Sequence, residues 1–184
     1  MGRPKALLPW GGCTLLEHQV DALLEGGADE VVVVLGHDAH DLAPYVRGPR
    51  ARGVVNRSYR QGRASSVRAG AAALSPSVEH ILLLAVDQPR TASLVSRVLQ
   101  AHLEAGALIT SPRYRGRGGH PLVFSAALRE ELESVTEEGQ GVRQVLEAHR
   151  SEIHRVEMDD PMLRLDVNTP EEYRRAVERY GPRV

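Results

Sequence analysis

The sequence is poor in several features that mark particular classes of protein. It contains one cysteine, Cys13, so an internal disulfide is impossible and a reducing, cytoplasmic location is expected. Aromatic residues make up 4% of the chain. No apolar run reaches the roughly 18 residues that a membrane span requires. The 23 basic and 24 acidic residues give a net charge of −1, without the basic excess of a dedicated nucleic-acid-binding protein. These absences predict that neither a nucleic acid nor a membrane is a partner.

The chain nevertheless has enough apolar material to fold around a core. Hydrophobic residues make up 42% of its 184 residues, which excludes a disordered chain. The length suits one domain, and no internal repeat, low-complexity tract or linker divides the sequence. We therefore interpret residues 1–184 as a single domain.

Lysine is almost absent. Of the 23 basic residues, 22 are arginine, and Lys5 is the one lysine. Codon usage explains a bias of this strength. A position that keeps lysine can also require a compact, flexible ammonium that a planar guanidinium does not replace. Composition alone leaves both explanations open.

Strand-like apolar runs alternate with helix-like amphipathic stretches along the chain. The predicted strands are 30–36, 53–56, 80–86, 107–111, 121–124 and 153–157, and the predicted helices are 15–25, 64–74, 92–104, 125–133, 142–149 and 170–179. This order predicts an α/β protein with a Rossmann-like three-layer α/β/α fold, whose mainly parallel sheet carries helices on both faces. Such sheets bind ligands at the carboxyl ends of their strands, so the loops there are where function is expected.

Two helix starts carry a specific signal. Thr14 with Glu17, and Thr169 with Glu172, have the residue types and spacing of capping boxes. Pro170 occupies the first helical position, which proline favours. The sequence therefore predicts that helices begin directly after the two threonines.

Acidic residues mark two of the predicted loops. Asp87 directly follows an apolar run, and a carboxylate there suits Mg²⁺, which takes one or two carboxylates plus substrate phosphates. An Asp shortly before Pro89 also begins many turns, so both interpretations stay open. Asp166 and Asn168 are two residues apart and point to one face of an extended segment. Helix capping is their better explanation unless a second site lies nearby.

A polar loop at residues 56–70 leads into a helix of small residues. It contains Asn56, Gly62, Ser65 and Ser66. Free backbone N–H groups and hydroxyls at a helix start can bind a base edge or a phosphate. An ordinary serine cap is the simpler explanation of these residues taken alone.

A second polar loop, at residues 111–121, is rich in glycine and contains three arginines. Arg117, Gly119 and His120 lie in its second half. Guanidinium groups in such a loop suggest phosphate recognition, with His120 facing a ligand. A flexible, solvated loop is the alternative.

In this order, the motifs resemble the MobA-like nucleotidyltransferase family, and within it the molybdenum cofactor cytidylyltransferase branch. Residues 1–9 match the end of the family's opening signature, 56–70 its N-x-x-Y-x-x-G…S-S-x-x-x-G segment, 87–89 its D-Q-P, 116–121 its G-x-x-G-H-P, and 166–170 its D-[IV]-[DN]-T-P. Residues 139–143 match its G-D-x-G-x-R loosely, with Gln140 where an acid is usual. Each motif is weak alone, and the shared order is what carries the resemblance.

The resemblance implies transfer of CMP from CTP to the phosphate of a molybdopterin-type cofactor, with release of pyrophosphate and with Mg²⁺ or Mn²⁺ as the metal. It implies catalytic roles for Lys5 and Asp87 and metal binding by Asp87, Asp166 and Asn168. The implied nucleotide-binding residues are Lys5, Asn56, Gly62, Ser65, Ser66 and Asp87, and the implied acceptor-binding residues are Arg117, Gly119 and His120. A molybdoenzyme or its maturation chaperone is the further partner that the resemblance suggests.

Alternatives remain within and outside this activity. A relative that uses GTP or another phosphorylated acceptor has similar motifs, and so does an inactive nucleotide-binding fragment. The family's opening strand and Gly-rich loop precede the position that Met1 matches. We therefore expect that the native protein is longer and that Met1 is an internal methionine.

Overall fold

The computed structural model describes residues 4–181, in which helices and strands alternate and confirm the predicted α/β class. The strands are β1 (Pro9–Trp10), β2 (Cys13–Thr14), β3 (Val31–Leu35), β4 (Ala51–Val55), β5 (His80–Leu83), β6 (Ile109–Tyr114), β7 (Arg117–Gly118), β8 (Leu122–Ser125) and β9 (Ile153–Glu157). The α-helices are α1 (Leu15–Glu25), α2 (Ala39–Leu42), α3 (Arg63–Ala73), α4 (Ala92–Ala105), α5 (Arg129–Ser134), α6 (Val142–Ala148) and α7 (Pro170–Tyr180). Short 3-10 helices span Lys5–Leu7, Ala43–Tyr45, Tyr59–Gln61, Ala126–Leu128 and Pro161–Arg164.

The strands pair in both directions. β3 and β4 form a parallel pair, and the largest sheet has the order β5-β8-β6-β7, with β9 parallel to β6. β8 is antiparallel to both β5 and β6, so the largest sheet is mixed where mainly parallel pairing was expected. The physical reason is the short connection between β6 and β8, which contains no crossover helix and therefore returns the chain antiparallel.

Helices cover both faces of the five-stranded sheet. Phe124 of β8 packs in a core cluster with residues of α3, α5 and α6, whereas its neighbour Val123 packs in a cluster with residues of α4. Because successive strand residues point to opposite faces, these two clusters lie on opposite sides of the sheet. The predicted three-layer arrangement is confirmed. None of the helices within residues 4–181 has the length and apolar composition needed to cross a membrane.

Both predicted capping boxes are present. The Glu17 N–H donates to the Thr14 hydroxyl at 3.2 Å, and the Glu17 carboxylate accepts from the Thr14 N–H at 2.9 Å. The same pair of bonds joins Thr169 and Glu172, at 3.1 and 2.9 Å. Since these bonds satisfy amides that a helix start leaves free, they fix where α1 and α7 begin.

The first hairpin occupies a segment where no strand is predicted. In it, Trp10 of β1 lies opposite Cys13 of β2. Between them, Gly11 and Gly12 have φ values of 56° and 88°. Positive φ at both central residues is the geometry of a type I′ turn, which glycine adopts without strain. The Gly-Gly pair is therefore the signal from which this hairpin was predictable.

Most predicted elements differ from the structure by one to three residues at an end, and two of these differences are informative. The strand predicted at 80–86 ends at Leu83, because the chain turns where the Gln88 N–H donates to the Ala85 carbonyl at 3.0 Å. The helix predicted at 125–133 begins as the 3-10 helix Ala126–Leu128 before α5. The first difference matters for the site, because Asp87 lies in a turn rather than directly at a strand end.

Candidate functional site

The Lys5 ammonium lies between the two acidic motifs. Its Nζ donates to Asp87 Oδ2 at 3.1 Å and to Asn168 Oδ1 at 2.9 Å. The Val167 N–H donates to the Asp87 carbonyl at 2.8 Å, which aligns the segment before α7 with the loop after β5. The structure therefore places Asp87 beside the 166–168 segment, although the two are far apart in sequence.

The two oxygens that hold Lys5 are also suited to a divalent cation. A carboxylate and an amide oxygen are ligands of the kind that Mg²⁺ takes, and the ammonium between them marks a point where the chain stabilises positive charge. The Lys5 and Asp87 side chains are 33% and 21% exposed, so the site is accessible from solvent. Residues 4–181 contain no group of three His, Cys, Asp or Glu side chains arranged to hold a metal ion. The fit is therefore to a cation that takes its remaining ligands from substrate phosphates or water.

Asp166, the third predicted metal ligand, contacts a different group. Its Oδ1 accepts a hydrogen bond from Gln88 Nε2 at 2.8 Å, and it makes no hydrogen bond with Lys5. Asn168, two residues on, faces Lys5, and Val167 between them is fully buried. The structure thus brings Asp87 and Asn168 to one cation and directs Asp166 towards the neighbouring Gln88.

His120 joins the same group as a neutral ring. Its Nδ1 lies 3.3 Å from Gln88 Nε2. Burial, followed by the charge of Arg90, lowers the pKa of His120, against the opposing effect of Asp166 and Asp87. Because the Gln88 amide nitrogen is a donor, Nδ1 is assigned as the acceptor and the ring proton as lying on Nε2. His120 therefore has one donor, Nε2–H, for a ligand.

Two further residues of the site had not been singled out from the sequence. Arg90 is fully buried, and its guanidinium donates to main-chain carbonyls of three separate segments. Gln19 is buried on α1, and its Nε2 donates to the Ala85 and Gln88 carbonyls at 3.1 and 2.7 Å. A polar residue on the buried face of α1 was a detectable signal for Gln19. Arg90 had no comparable signal, because main-chain partners leave no trace in residue types.

The predicted nucleotide-binding residues form a second cluster. Asn56 is buried, and its Nδ2 donates to the hydroxyls of Ser65 and Ser66 at 2.8 and 3.1 Å. The Ser65 hydroxyl in turn donates to the Gly62 carbonyl at 2.8 Å. The structure therefore brings these four residues together. Within residues 4–181, no hydrogen bond links this cluster to the group of Lys5, Asp87 and Asn168.

The first amides of α3 are already occupied. The Glu137 carboxylate accepts hydrogen bonds from the Arg63 and Ala64 N–H groups, both at 3.0 Å. Gly62 has φ of 98°, and a Cβ at that position would overlap the same carboxylate. An anion is stabilised at a helix start by free N–H groups and the helix dipole. The expectation that these amides are free for a base or phosphate is therefore wrong for Arg63 and Ala64.

Gly119 allows the loop before His120 to approach the chain near Leu163. Gly119 is buried, and a Cβ there would lie 2.6 Å from the Leu163 carbonyl oxygen. The His120 N–H donates to that same oxygen at 3.0 Å. Arg117, by contrast, is exposed on β7, and within residues 4–181 its side chain makes no hydrogen bond or ion pair. The structure thus places Gly119 and His120 at the site, and among the described residues it shows no side-chain hydrogen bond or ion pair that joins Arg117 to them.

Comparison with known proteins identifies the family. A profile of the MobA-like NTP transferase domain matches residues 1–153. The chain belongs to the MobA-like NTP transferase family. The resemblance inferred from the order of the motifs is confirmed, and the protein is an enzyme of the nucleotidyltransferase type.

Two named relatives align with almost the whole of this MobA-like protein. Nicotine blue oxidoreductase from Paenarthrobacter nicotinovorans is 36% identical over 180 residues, covering 94% of this chain and 87% of the relative. Molybdenum cofactor cytidylyltransferase from Escherichia coli (strain K12) is 28% identical over 184 residues, covering 98% of this chain and 90% of the relative. The relatives are thus named for two different reactions.

Solved structures share the fold of this MobA-like protein. Rv0371c from Mycobacterium tuberculosis H37Rv has a TM-score of 0.82 and 28% identity, covering 97% of this chain and 90% of that one. The manganese complex of Rv0371c has a TM-score of 0.78 and 28% identity, covering 96% and 93% of the two chains. Manganese is a divalent ion that accepts carboxylate and carbonyl oxygens.

Proposed function

We propose that this protein transfers CMP from CTP to the phosphate of a molybdopterin-type cofactor and releases pyrophosphate, with Mg²⁺ or Mn²⁺ as the metal. The observation that carries the proposal is the position of Lys5 Nζ, within 3.1 Å of Asp87 and 2.9 Å of Asn168. One lysine ammonium and two hard oxygen ligands meet there, an arrangement that suits a metal-bound triphosphate.

The metal part of the site consists of Asp87 and Asn168, whose oxygens would hold the ion. When bound, a divalent ion neutralises phosphate charge and acts as a Lewis acid. Lys5 is free to leave its two oxygens and donate to the phosphates, because a flexible lysine chain carries its charge at a single end. The acceptor phosphate has a second pKa of about 6, so it is ionised at neutral pH and needs no general base. The residues therefore act by positioning two anions and neutralising their charge.

The nucleotide part of the site would be the cluster of Asn56, Gly62, Ser65 and Ser66. The hydrogen bonds from Asn56 fix both serine side chains. Ser65 is buried and donates to the Gly62 carbonyl, so the half-buried Ser66 would be the serine that reads a base edge. Because Glu137 occupies the first amides of α3, we assign this cluster to the cytosine rather than to a phosphate.

The acceptor part of the site would be the loop that carries Gly119 and His120. The Nε2–H of neutral His120 suits an anionic oxygen of the acceptor, and Arg117 on the exposed hairpin would contact the acceptor from outside. A molybdoenzyme or its maturation chaperone, as the partner that takes up the product, belongs to the same proposal.

The test is pyrophosphate release with CTP or GTP, a molybdopterin-type acceptor, and Mg²⁺ or Mn²⁺. We expect turnover with CTP and a divalent ion, and at least a hundredfold loss of it for Asp87→Asn, because one electrostatic contact to the reacting phosphates is worth about that much. The matched control is Asp159→Asn, at an exposed position away from the motifs. Turnover with GTP alone would reassign the base, and full activity of Asp87→Asn would remove this residue from the mechanism.

A second candidate is a reductase of a heteroaromatic compound, favoured by the 36% identity to nicotine blue oxidoreductase. It predicts consumption of NADH or NADPH with a dye-like acceptor and no dependence on Asp87. The group of Lys5, Asp87 and Asn168 favours nucleotidyl transfer instead, because hydride transfer has no need of a cation held between two oxygens. Oxidation of a nicotinamide cofactor by wild type and Asp87→Asn at equal rates would favour the reductase.

A further inference from the structure

We propose that Arg90 is a positioning residue that holds the three loops of the site in register through their main-chain carbonyls. This inference rests on the proposed function, because it concerns the metal and acceptor parts of that site. Arg90 touches neither the Lys5 group nor the ring of His120; its partners are backbone oxygens next to the residues that do the chemistry.

The guanidinium donates four hydrogen bonds to three segments. Nε donates to the His120 carbonyl at 2.8 Å, and Nη2 donates to the Leu163 carbonyl at 2.9 Å. Nη1 donates to the carbonyls of Pro89 at 2.8 Å and Leu165 at 2.9 Å. The planar fork of arginine presents five N–H donors in fixed directions, which an ammonium does not do. One side chain therefore ties the Asp87 loop, the His120 loop and the segment before Asp166 together.

Arg90 carries its charge without an ion pair. Its side chain is fully buried, and no carboxylate oxygen within residues 4–181 lies at ion-pair distance from it. Burial lowers the pKa of Arg90 to about 10, while Asp166, Asp160 and Asp87 oppose the shift from further away. The group therefore stays charged at neutral pH, and carbonyl dipoles take the place of a counter-ion. A buried cation in this situation is costly unless every carbonyl stays in position, which couples the three loops.

Gln19 of α1 supports the same loop through separate hydrogen bonds. It is buried on α1, its Oε1 accepts from the Arg90 N–H at 3.0 Å, and its Nε2 donates to carbonyls at both ends of residues 85–88. Arg90 thus holds this loop through the Pro89 carbonyl, and Gln19 holds it through the carbonyls of Ala85 and Gln88. Gln19 gives a second variant that loosens the loop while Arg90 is kept.

The distinguishing experiment is Arg90→Lys, because lysine keeps the positive charge and loses the fork. Removing the charge would itself alter the binding of a cation, whereas Arg90→Lys reports position alone. We measure the binding of Mn²⁺ without nucleotide by electron paramagnetic resonance, and kcat for pyrophosphate release at saturating substrates. We expect about tenfold weaker Mn²⁺ binding and a fall in kcat of up to about a hundredfold, the size of effect that a misplacement of about 1 Å produces. Arg97→Lys, on an exposed arginine of α4, is the matched control and is expected to leave both quantities unchanged.

The outcomes separate this inference from the proposed function. Weaker Mn²⁺ binding by Arg90→Lys in a protein that shows no nucleotidyl transfer would support the positioning role and overturn the function. Wild-type Mn²⁺ binding and kcat in a folded Arg90→Lys protein would overturn the positioning role. If Arg90→Lys does not fold, Gln19→Leu replaces it, with an expected loss of Mn²⁺ affinity in the same direction. Unchanged affinity in Gln19→Leu would then overturn the inference.

Discussion

Replacement of Lys5 by methionine is expected to strengthen the binding of a divalent ion that arrives alone. In the structure the ammonium itself lies at the point between Asp87 and Asn168 where the ion would bind, at 3.1 and 2.9 Å from their oxygens. An ion without nucleotide must therefore displace Lys5 and then tolerate its positive charge nearby. Methionine has a similar apolar stem and no charge, so this obstacle is absent in Lys5→Met.

The size of the effect follows from the exposure of the two contacts. Both are charge-assisted, but the Lys5 side chain is 33% exposed and that of Asp87 is 21% exposed, so water weakens them. Together they are worth about 1–2 kcal/mol, between the values for exposed ion pairs and for hydrogen bonds to charged groups. That free energy corresponds to a factor of about 5 to 30 in an equilibrium constant. We therefore expect the Kd for Mn²⁺ alone to fall by about that factor in Lys5→Met.

The assay is titration with Mn²⁺ by electron paramagnetic resonance in the absence of nucleotide, followed by turnover with CTP. The same variant is expected to lose turnover, because the phosphates lose the contact from Lys5. The matched control is Arg150→Met, which removes one positive charge at an exposed position after the end of α6. Unchanged or weaker Mn²⁺ binding in Lys5→Met would refute the idea that Lys5 occupies the cation position.

Three further predictions concern residues around the site. Burial, with a contribution from two other histidines, lowers the pKa of His102 to about 4. The unfolded state therefore takes up a proton first, and the free energy of unfolding falls as the pH drops from about 6.5 towards 4, by at most about 1.4 kcal/mol per pH unit. Urea unfolding of wild type and His102→Gln at pH 7.5 and 5 tests this, and an equal pH dependence of the two proteins would contradict it. Gly119→Ala is expected to destabilise the protein by about 1–3 kcal/mol, because the new methyl group meets the Leu163 carbonyl; a melting temperature equal to that of wild type would contradict it. Glu137→Gln is expected to cost about 1 kcal/mol in the same measurement, since α3 loses the anion at its start, and no loss would show that the charge is irrelevant there.

The elements that sequence predicts well are those fixed by local chemistry. The starts of α1 and α7 follow from a threonine and a glutamate three residues apart, and both capping boxes form. The meeting of Asp87 with residues 166–168 was expected on different grounds, from the resemblance of the two acidic motifs to those of the family. In both cases the residue types themselves determine the interaction.

Arg90 and Glu137 show why the rest was not predictable. Each acts on the main chain of a distant segment: Arg90 on the carbonyls of His120 and Leu165, Glu137 on amides at the start of α3. Every residue has a carbonyl and nearly every residue an amide, so no partner residue type marks such a contact in the sequence. The mixed sheet has a similar cause, since the direction of β8 depends on the length of one connection and not on its strand pattern.

The segment Asp166-Val167-Asn168 connects the proposed metal and acceptor parts of the site, because its side chains alternate in direction. Val167 is buried, and its N–H holds the Asp87 carbonyl, so the residues on either side must project outward. Asp166 then orients the Gln88 amide, which sets the tautomer of His120, while Asn168 faces the cation position. A charged acid is suited to the first task, because it fixes which end of the amide is the donor. A neutral amide is suited to the second, because a further negative charge there would hold Lys5 too firmly for exchange. The contacts at each position thus require an acid at 166, an apolar residue at 167 and an amide at 168. Exchanging Asp166 and Asn168 would disturb the metal and acceptor parts of the site at once.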